Sequence, residues 1–330
     1  MPTYKGFLTK PAYVVETSYA SGGTPDTAIG GKVLSINPTL SNNFFREQGL
    51  GEGRNQTTTL WGPFDCGLSM EWEVGDFSFL QFFVGPQSGA GTAGDPYVLT
   101  EADNIGYGAS DIASFALGVS ANDGSGTDDY DLYKGCCINT VGLTGAVGDI
   151  LKCSNDIVAK IVTSSQTGHD IAGSSLAPWV FFQGEFKWNS AVVGQVQSFA
   201  LAAAQNLFIY RSLGDRTIEK PETGVRRYNW TLVLKMTDTV ATTLRDHFYG
   251  QADEPYNSAA APSPTEYGLE LNFGSDSISG SRYGQVLLDD NAIDSMSKPV
   301  DLGGGIVEVT FTGFARTATG NTPFKWWTVA

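Results

Sequence analysis

The sequence predicts a mainly β protein made of two tandem copies of one domain, and three observations carry that prediction. The first is composition. In 330 residues there are 40 Gly, 12% aromatic residues and only 17% charged residues. That balance suits short strands joined by many turns better than helices. The second is alternation. Cys66, Leu68, Met70, Trp72 and Val74 occupy every second position against Gly, Ser and Glu, the period of a strand with one apolar face. The third is a repeat. Asn43 matches Asn206, Phe45 matches Phe208, and Leu50-Gly51 matches Leu213-Gly214, each pair 163 residues apart. Near the ends of the copies, Gly148-Asp149-Ile150 leads to Ala159-Lys160 as Gly304-Gly305-Ile306 leads to Ala315-Arg316. An order of features kept while the offset drifts through loop insertions is the mark of a duplicated domain.

In chain order, residues 1–32 read as an extended arm with one short strand, 33–164 as the first domain, 165–182 as a linker, 183–316 as the second domain and 317–330 as a tail. In the first domain 32–37 and 66–74 alternate and are expected strands, with a long polar, Gly-rich loop at 41–65 between them. Asp76 then opens a short helix with Phe77, Leu80, Phe83 and Val84 on one side, closed by Gly85. Strands are expected over 114–121, 130–139 and 147–163. The second domain repeats the plan: strand 194–203, loop 205–227 and strand 228–236. A helix follows with Val240, Leu244 and Phe248 on one face, then strands over 267–273, 283–289 and 305–315. Trp326 and Trp327 in the tail are expected to pack on a neighbouring domain or subunit.

The chemistry-bearing residues point away from an enzyme. The two histidines, His169 and His247, fall in the linker and on the second helix. No HExxH, Walker loop or G-x-S-x-G elbow is present. The four cysteines include no CxxC pair, and buried, reduced thiols are expected. The acidic groups at 128–131 and 289–294 read as solvated turns, so no metal or cofactor is expected. A net charge of −15 and a pI near 4.4 disfavour holding nucleic acid by its phosphates. There is no run of apolar residues long enough for a membrane span, and Met1–Gly6 has no apolar leader core.

Particular residues carry a family resemblance. The run 133–143, followed by Gly148–Lys152 and Val158–Lys160, resembles the tail tube proteins (major tail proteins) of long-tailed bacteriophages and archaeal tailed viruses. So do Gln197–Leu201, Gln205–Phe208, Leu213–Arg216 and Tyr228–Leu232. The resemblance covers roughly residues 33–316. It implies β-sandwich or barrel domains with one short flanking helix each, assembling into rings that stack around the path of the genome. Because this chain carries two copies, three chains would make a pseudo-hexamer. It further implies a virion protein of the tail, assembled in the host cytoplasm, partnered by itself and by tail terminator, tape measure and baseplate proteins. DNA would pass through the lumen without a specific site, and no membrane would be involved. Other functions remain open here: another β-rich virion component (a tail terminator, baseplate hub or capsid decoration protein), a carbohydrate-binding module or a hydrolase.

On this reading the equivalent loops 41–65 and 205–227 make ring-to-ring contacts, with Arg46, Arg54, Arg211, Arg216, Arg226 and Arg227 pairing with carboxylates of the next ring. The channel wall is expected to be net negative so that it repels phosphate. Glu71 and Glu73, on the polar face of their strand, are the candidates to line it.

Overall fold

The computed structural model describes residues 9–47, 58–122, 128–165, 171, 173–180, 184–193, 196–236, 238–249, 267–274, 282–298, 308–315 and 322–327. The chain is mainly β. The first half supplies β1 (Lys10–Val15), β2 (Thr27–Ala28), β3 (Gly31–Ser41), β4 (Phe45–Glu47), β5 (Thr58–Leu60) and β6 (Asp65–Val74). It continues with β7 (Gln87–Ser88), β8 (Tyr97–Leu99), β9 (Phe115–Asn122), β10 (Asp128–Ala146), β11 (Lys152–Ala159) and β12 (Ile161–Ser165). The second half supplies β13 (Gly184–Trp188), β14 (Ala191–Val192), β15 (Val196–Ala204), β16 (Arg227–Lys235), helix α1 (Asp238–Tyr249), β17 (Tyr267–Phe273), β18 (Tyr283–Ser297), β19 (Glu308–Ala315) and β20 (Phe324–Trp327).

Eight strands form one continuous antiparallel run in the order β3-β6-β11-β10-β15-β16-β19-β18. The first four come from the first half and the last four from the second. Within each half the strands lie in the same order. The long strands β10 and β18 each leave this run at their N-terminal ends and join a second group. β10 pairs there with β9 and β12, and β18 with β17 and β20. In turn β9 carries β1 and β2, while β17 carries β13 and β14.

The irregularities match as well. The ladder β3–β6 shifts register between Val33 and Ser35, and β15–β16 shifts between Val196 and Ser198. The ladder β10–β11 shifts between Ile138 and Thr140, and β18–β19 between Ile293 and Ser295. Just past β3 and β15, Asn43 and Asn206 adopt left-handed backbone, φ 41° and 51°, a conformation Asn tolerates better than most residues. Their side-chain amides donate to Pro63 O at 3.1 Å and Val225 O at 2.7 Å. Gly62 and Gly224 lie against the same two asparagines. A Cβ there would come within 1.7 Å of Asn43 O and 2.3 Å of Asn206 O.

Two elements differ from the sequence reading. The helix expected after Asp76 is a 3₁₀ turn, Ser78–Phe82. Phe79 and Phe82 both pack on Phe115, at 5.2 and 4.4 Å. A repeat of three aligns such an i, i+3 pair, whereas an α-helical repeat would spread it. The one strand expected in the N-terminal arm is present as β1, with Ala12 and Tyr13 buried against β9. The tail supplies β20, which pairs with β18 and also with β8 of the first half. Trp327 stacks on Tyr283 with ring centres 4.0 Å apart, and Trp326 lies 5.5 Å from Tyr97. Of the markers of the repeat, Leu50-Gly51, Gly304-Gly305-Ile306 and Arg316 lie outside the described residues.

One apolar cluster runs through both halves. Phe77 is within 5.0 Å of Trp179 and 5.1 Å of Phe324, and Trp179 stacks on Phe273 at 6.1 Å. Leu143 and Leu201, cross-strand partners on β10 and β15, are almost fully buried. Replacing Leu143 by Ala should cost about 2–5 kcal/mol, because the cavity sits in a sheet pinned on both sides. A urea midpoint lowered at unchanged m-value would confirm this; a wild-type midpoint would contradict it.

Candidate assembly surfaces

Alternation gives the eight-stranded run two faces. One face presents Cys66, Leu68, Met70, Trp72 and Val74 from β6, and Tyr228, Trp230, Leu232 and Leu234 from β16, all buried in the core. The opposite face is open. It carries Ser35, Asn37 and Thr39 from β3, Thr140 and Thr144 from β10, and Ser198, Ala200 and Ala202 from β15. Two shallow hollows of ≈ 250 and ≈ 200 Å³ open on it. Glu71 lies in the smaller hollow with Ser154 and Asp156. Glu73 lies opposite Lys32 of β3 and Lys152 of β11. In the second half the corresponding cross-strand pair is Lys235 and Glu308, with the signs exchanged. Counting Asp65, Glu71, Glu73, Asp149, Asp156 and Glu308 against Lys32, Lys152, Arg227 and Lys235, the described part of this face carries only a small excess of negative charge. The overall charge of −15 gave no hint of that balance.

The loops that follow β3 and β15 emerge at the same end of the run and pack on each other. The Arg211 guanidinium pairs with Asp65 and also donates to Phe64 O at 3.4 Å. Arg216 donates to Gly62 O at 2.8 Å and Asn42 Oδ1 at 2.9 Å, and lies 4.6 Å over the Trp61 ring. Phe64 N–H donates to Arg216 O at 2.8 Å. These two arginines join one half of the chain to the other. Arg46 on β4 and Arg227 at the start of β16 are exposed, and Arg54 lies outside the described residues.

Arg226 is spent in the interior. It donates to Ala102 O at 2.8 Å, and to Val84 O and Phe83 O at 3.2 and 3.3 Å. Its second terminal nitrogen lies 3.6 Å from the buried Glu101 carboxylate. Burial pushes the Glu101 carboxyl above its ordinary value, while Tyr228 and Arg226 pull the other way. With the folded-state value above the unfolded one, stability falls as pH rises from the unfolded carboxyl range, about 4.3, through the raised value. Arg226→Met removes a lowering influence and stretches that fall to higher pH. We expect a loss of about 3–5 kcal/mol near neutrality, a smaller loss at pH 5, and recovery when Glu101→Gln is added. Equal losses in urea melts at pH 5 and pH 8 would rule this account out.

Sequence reasoning missed two features. Phe45, Trp61, Phe208, Leu213 and Val225 are exposed on or beside the paired loops, Leu213 completely so; such a cluster marks a contact surface. Phe45 and Phe208 had stood out only as markers of the repeat. The other feature is the seam between β10 and β15. There Gln205 N–H donates to Asn139 O at 2.9 Å, and Leu207 N–H to Asn139 Oδ1 at 3.0 Å. Nothing local in the sequence marks Asn139 for that role. Among the described residues no group of three or more His, Cys, Asp or Glu is placed to hold a metal.

Comparison with known proteins bears on these surfaces. A search of the curated proteins finds no match. The family model described as phage tail tube protein matches residues 6–313, which covers both loops and the eight-stranded run up to the last two residues of β19. The chain belongs to the phage tail tube protein family, and is a structural subunit of the virion tail.

Proposed function

We propose that this subunit carries a duplicated tube domain, that three chains close into a pseudo-hexameric ring, and that the rings stack into a tube around the path of the genome. One observation carries the reading: the seven-residue ladder between β10 and β15, from Thr140↔Ala204 to Ala146↔Ser198. It joins the last strand of one four-stranded unit to the first strand of an equivalent unit. Such a contact is heterologous, head to tail, and its repetition closes a ring when the rotation per unit divides the circle. The outer edges of β3 and β18 are the ends left over.

On this reading the open face lines the bore. Its hydroxyl, amide and methyl lining, with carboxylates largely balanced by lysines and Arg227, offers DNA no concentrated positive charge to bind, so the duplex slides. Glu71 and Glu73 belong to that lining. The paired loops face the next ring. Arg46, Arg54 and Arg227 are the arginines left to contact it, beside the exposed aromatic and aliphatic side chains. Tail terminator, tape measure and baseplate proteins would meet the tube at its ends and in its lumen, and assembly would take place in the host cytoplasm.

Purified protein should form tubes of uniform diameter in negative-stain images, and native mass spectrometry of dissociated rings should give three chains. Six whole chains per ring would refute the pseudo-hexamer while leaving the tube intact. Leu213→Asp should leave three-chain rings that no longer stack; normal tubes from that variant would remove the loops from the ring-to-ring contact.

A further inference from the structure

The internal seam is a template for the seam between chains. The matched irregularities place the two halves in residue-level correspondence. The register shift after Val33 answers the one after Val196, so Ser35–Ser41 correspond to Ser198–Ala204. The shift after Ile138 answers the one after Ile293, so Thr140–Gly142 correspond to Ser295–Ser297, and Asn139 to Asp294. Burial shows what the free edge lacks. Phe199, Leu201 and Ala203 on β15 are 1–3% exposed beneath the internal seam. Their counterparts Ile36, Pro38 and Leu40 on β3 are partly or fully exposed, Leu40 at 48%. Likewise Val141 on β10 is 2% exposed, and its counterpart Met296 is only partly buried. Among the described residues, β3 pairs with β6 on one side only, and Ser295–Ser297 pair with β19 on one side only. An apolar strand edge of this kind is a ready site for another strand.

We propose that a second copy of this chain docks the β18 edge onto β3 in the register Ser295↔Ser41, Met296↔Leu40 and Ser297↔Thr39, with Asp294 taking the place of Asn139. In the internal seam Asn139 Oδ1 accepts the Leu207 N–H. Phe44 corresponds to Leu207, so the Asp294 carboxylate accepts the Phe44 N–H of the neighbouring chain. The bond becomes charge-assisted between chains where it is neutral within the chain. The two seams also differ at Pro38, which corresponds to Leu201 and carries no N–H. The seam between chains therefore has at most one ladder donor fewer than the internal one. This inference rests on the ring reading above for its partner, but it specifies which residues meet.

Cysteine pairs test the register directly. Ser297→Cys with Thr39→Cys places two thiols in a directly opposed cross-strand pair, within reach of a disulfide. The native cysteines do not interfere, since all four are buried and burial pushes the Cys66 and Cys137 thiols up to about 12. Mild oxidation of the assembled double variant should give covalent two- and three-chain species on denaturing gels. Ser297→Cys with Ser35→Cys, on the same face but four residues out of register, should give none. Asp294→Asn should assemble like the wild type, while Asp294→Leu should raise the concentration needed for assembly several-fold. Wild-type tubes together with no link at 39/297, or equal linking at 35/297, would overturn the register and leave the tube reading standing. A wild-type chain that stays monomeric would overturn both. Links running beyond three chains would support the seam and refute the three-chain ring.

Discussion

The constraint behind this structure is that a β-sheet edge cannot be left dry and unpaired. Each strand at an edge offers a row of N–H and C=O groups that must find partners. A four-stranded unit has two such rows. Here one row from each unit is satisfied inside the chain, where β10 meets β15 over seven residues. Closing that seam buries Phe199, Leu201 and Leu143. At about 1.5–3 kcal/mol per large apolar side chain, that burial outweighs what a few neutral ladder hydrogen bonds contribute net of water. Among the described residues, β3 and the C-terminal part of β18 have a strand on one side only.

The seam works because the elements around it are tied down. Gln205 and Asn139 link backbone to backbone across it. Arg211 and Arg216 bind one loop to the other. Arg226, with three carbonyls and Glu101 around it, clamps the second half onto the segment after the 3₁₀ turn. Glu16 plays a comparable part in the first half. Its buried carboxylate accepts the N–H groups of Ala20, Gly22 and Gly135 at 3.1, 2.9 and 3.1 Å, and the Ser114 hydroxyl at 2.5 Å. A buried charge held by several donors fixes a geometry, because any rearrangement would strand it. These contacts tie the two halves together around a shared core.

The open face shows how little global charge says about one surface. The chain is strongly acidic, yet carboxylates and amines on this face sit in register, Glu73 with Lys152 and Lys235 with Glu308. The exchanged signs in the two halves leave no broad field of either sign. The rest of this face is mostly Ser, Thr, Asn and Ala, with Val233 and the exposed Phe314 among them.

The sequence by itself determined the β class, the strict alternation of β6 and the helix after β16. These are local properties: side-chain period is written within a few residues. It also put Glu71 and Glu73 on the polar face of their strand. Tertiary structure alone decided the rest. Residues 324–327 are too short to show a period, and become a strand only because distant partners, β18 and β8, complete its ladders. The 3₁₀ turn replaces a helix because Phe115, far along the chain, takes both Phe79 and Phe82. Arg226 and Arg227 are neighbours of identical type, yet Arg226, just before β16, is mostly covered beside Glu101, while Arg227, its first residue, is exposed. A strand sends successive side chains to opposite faces, and only the folded sheet decides which face meets the core.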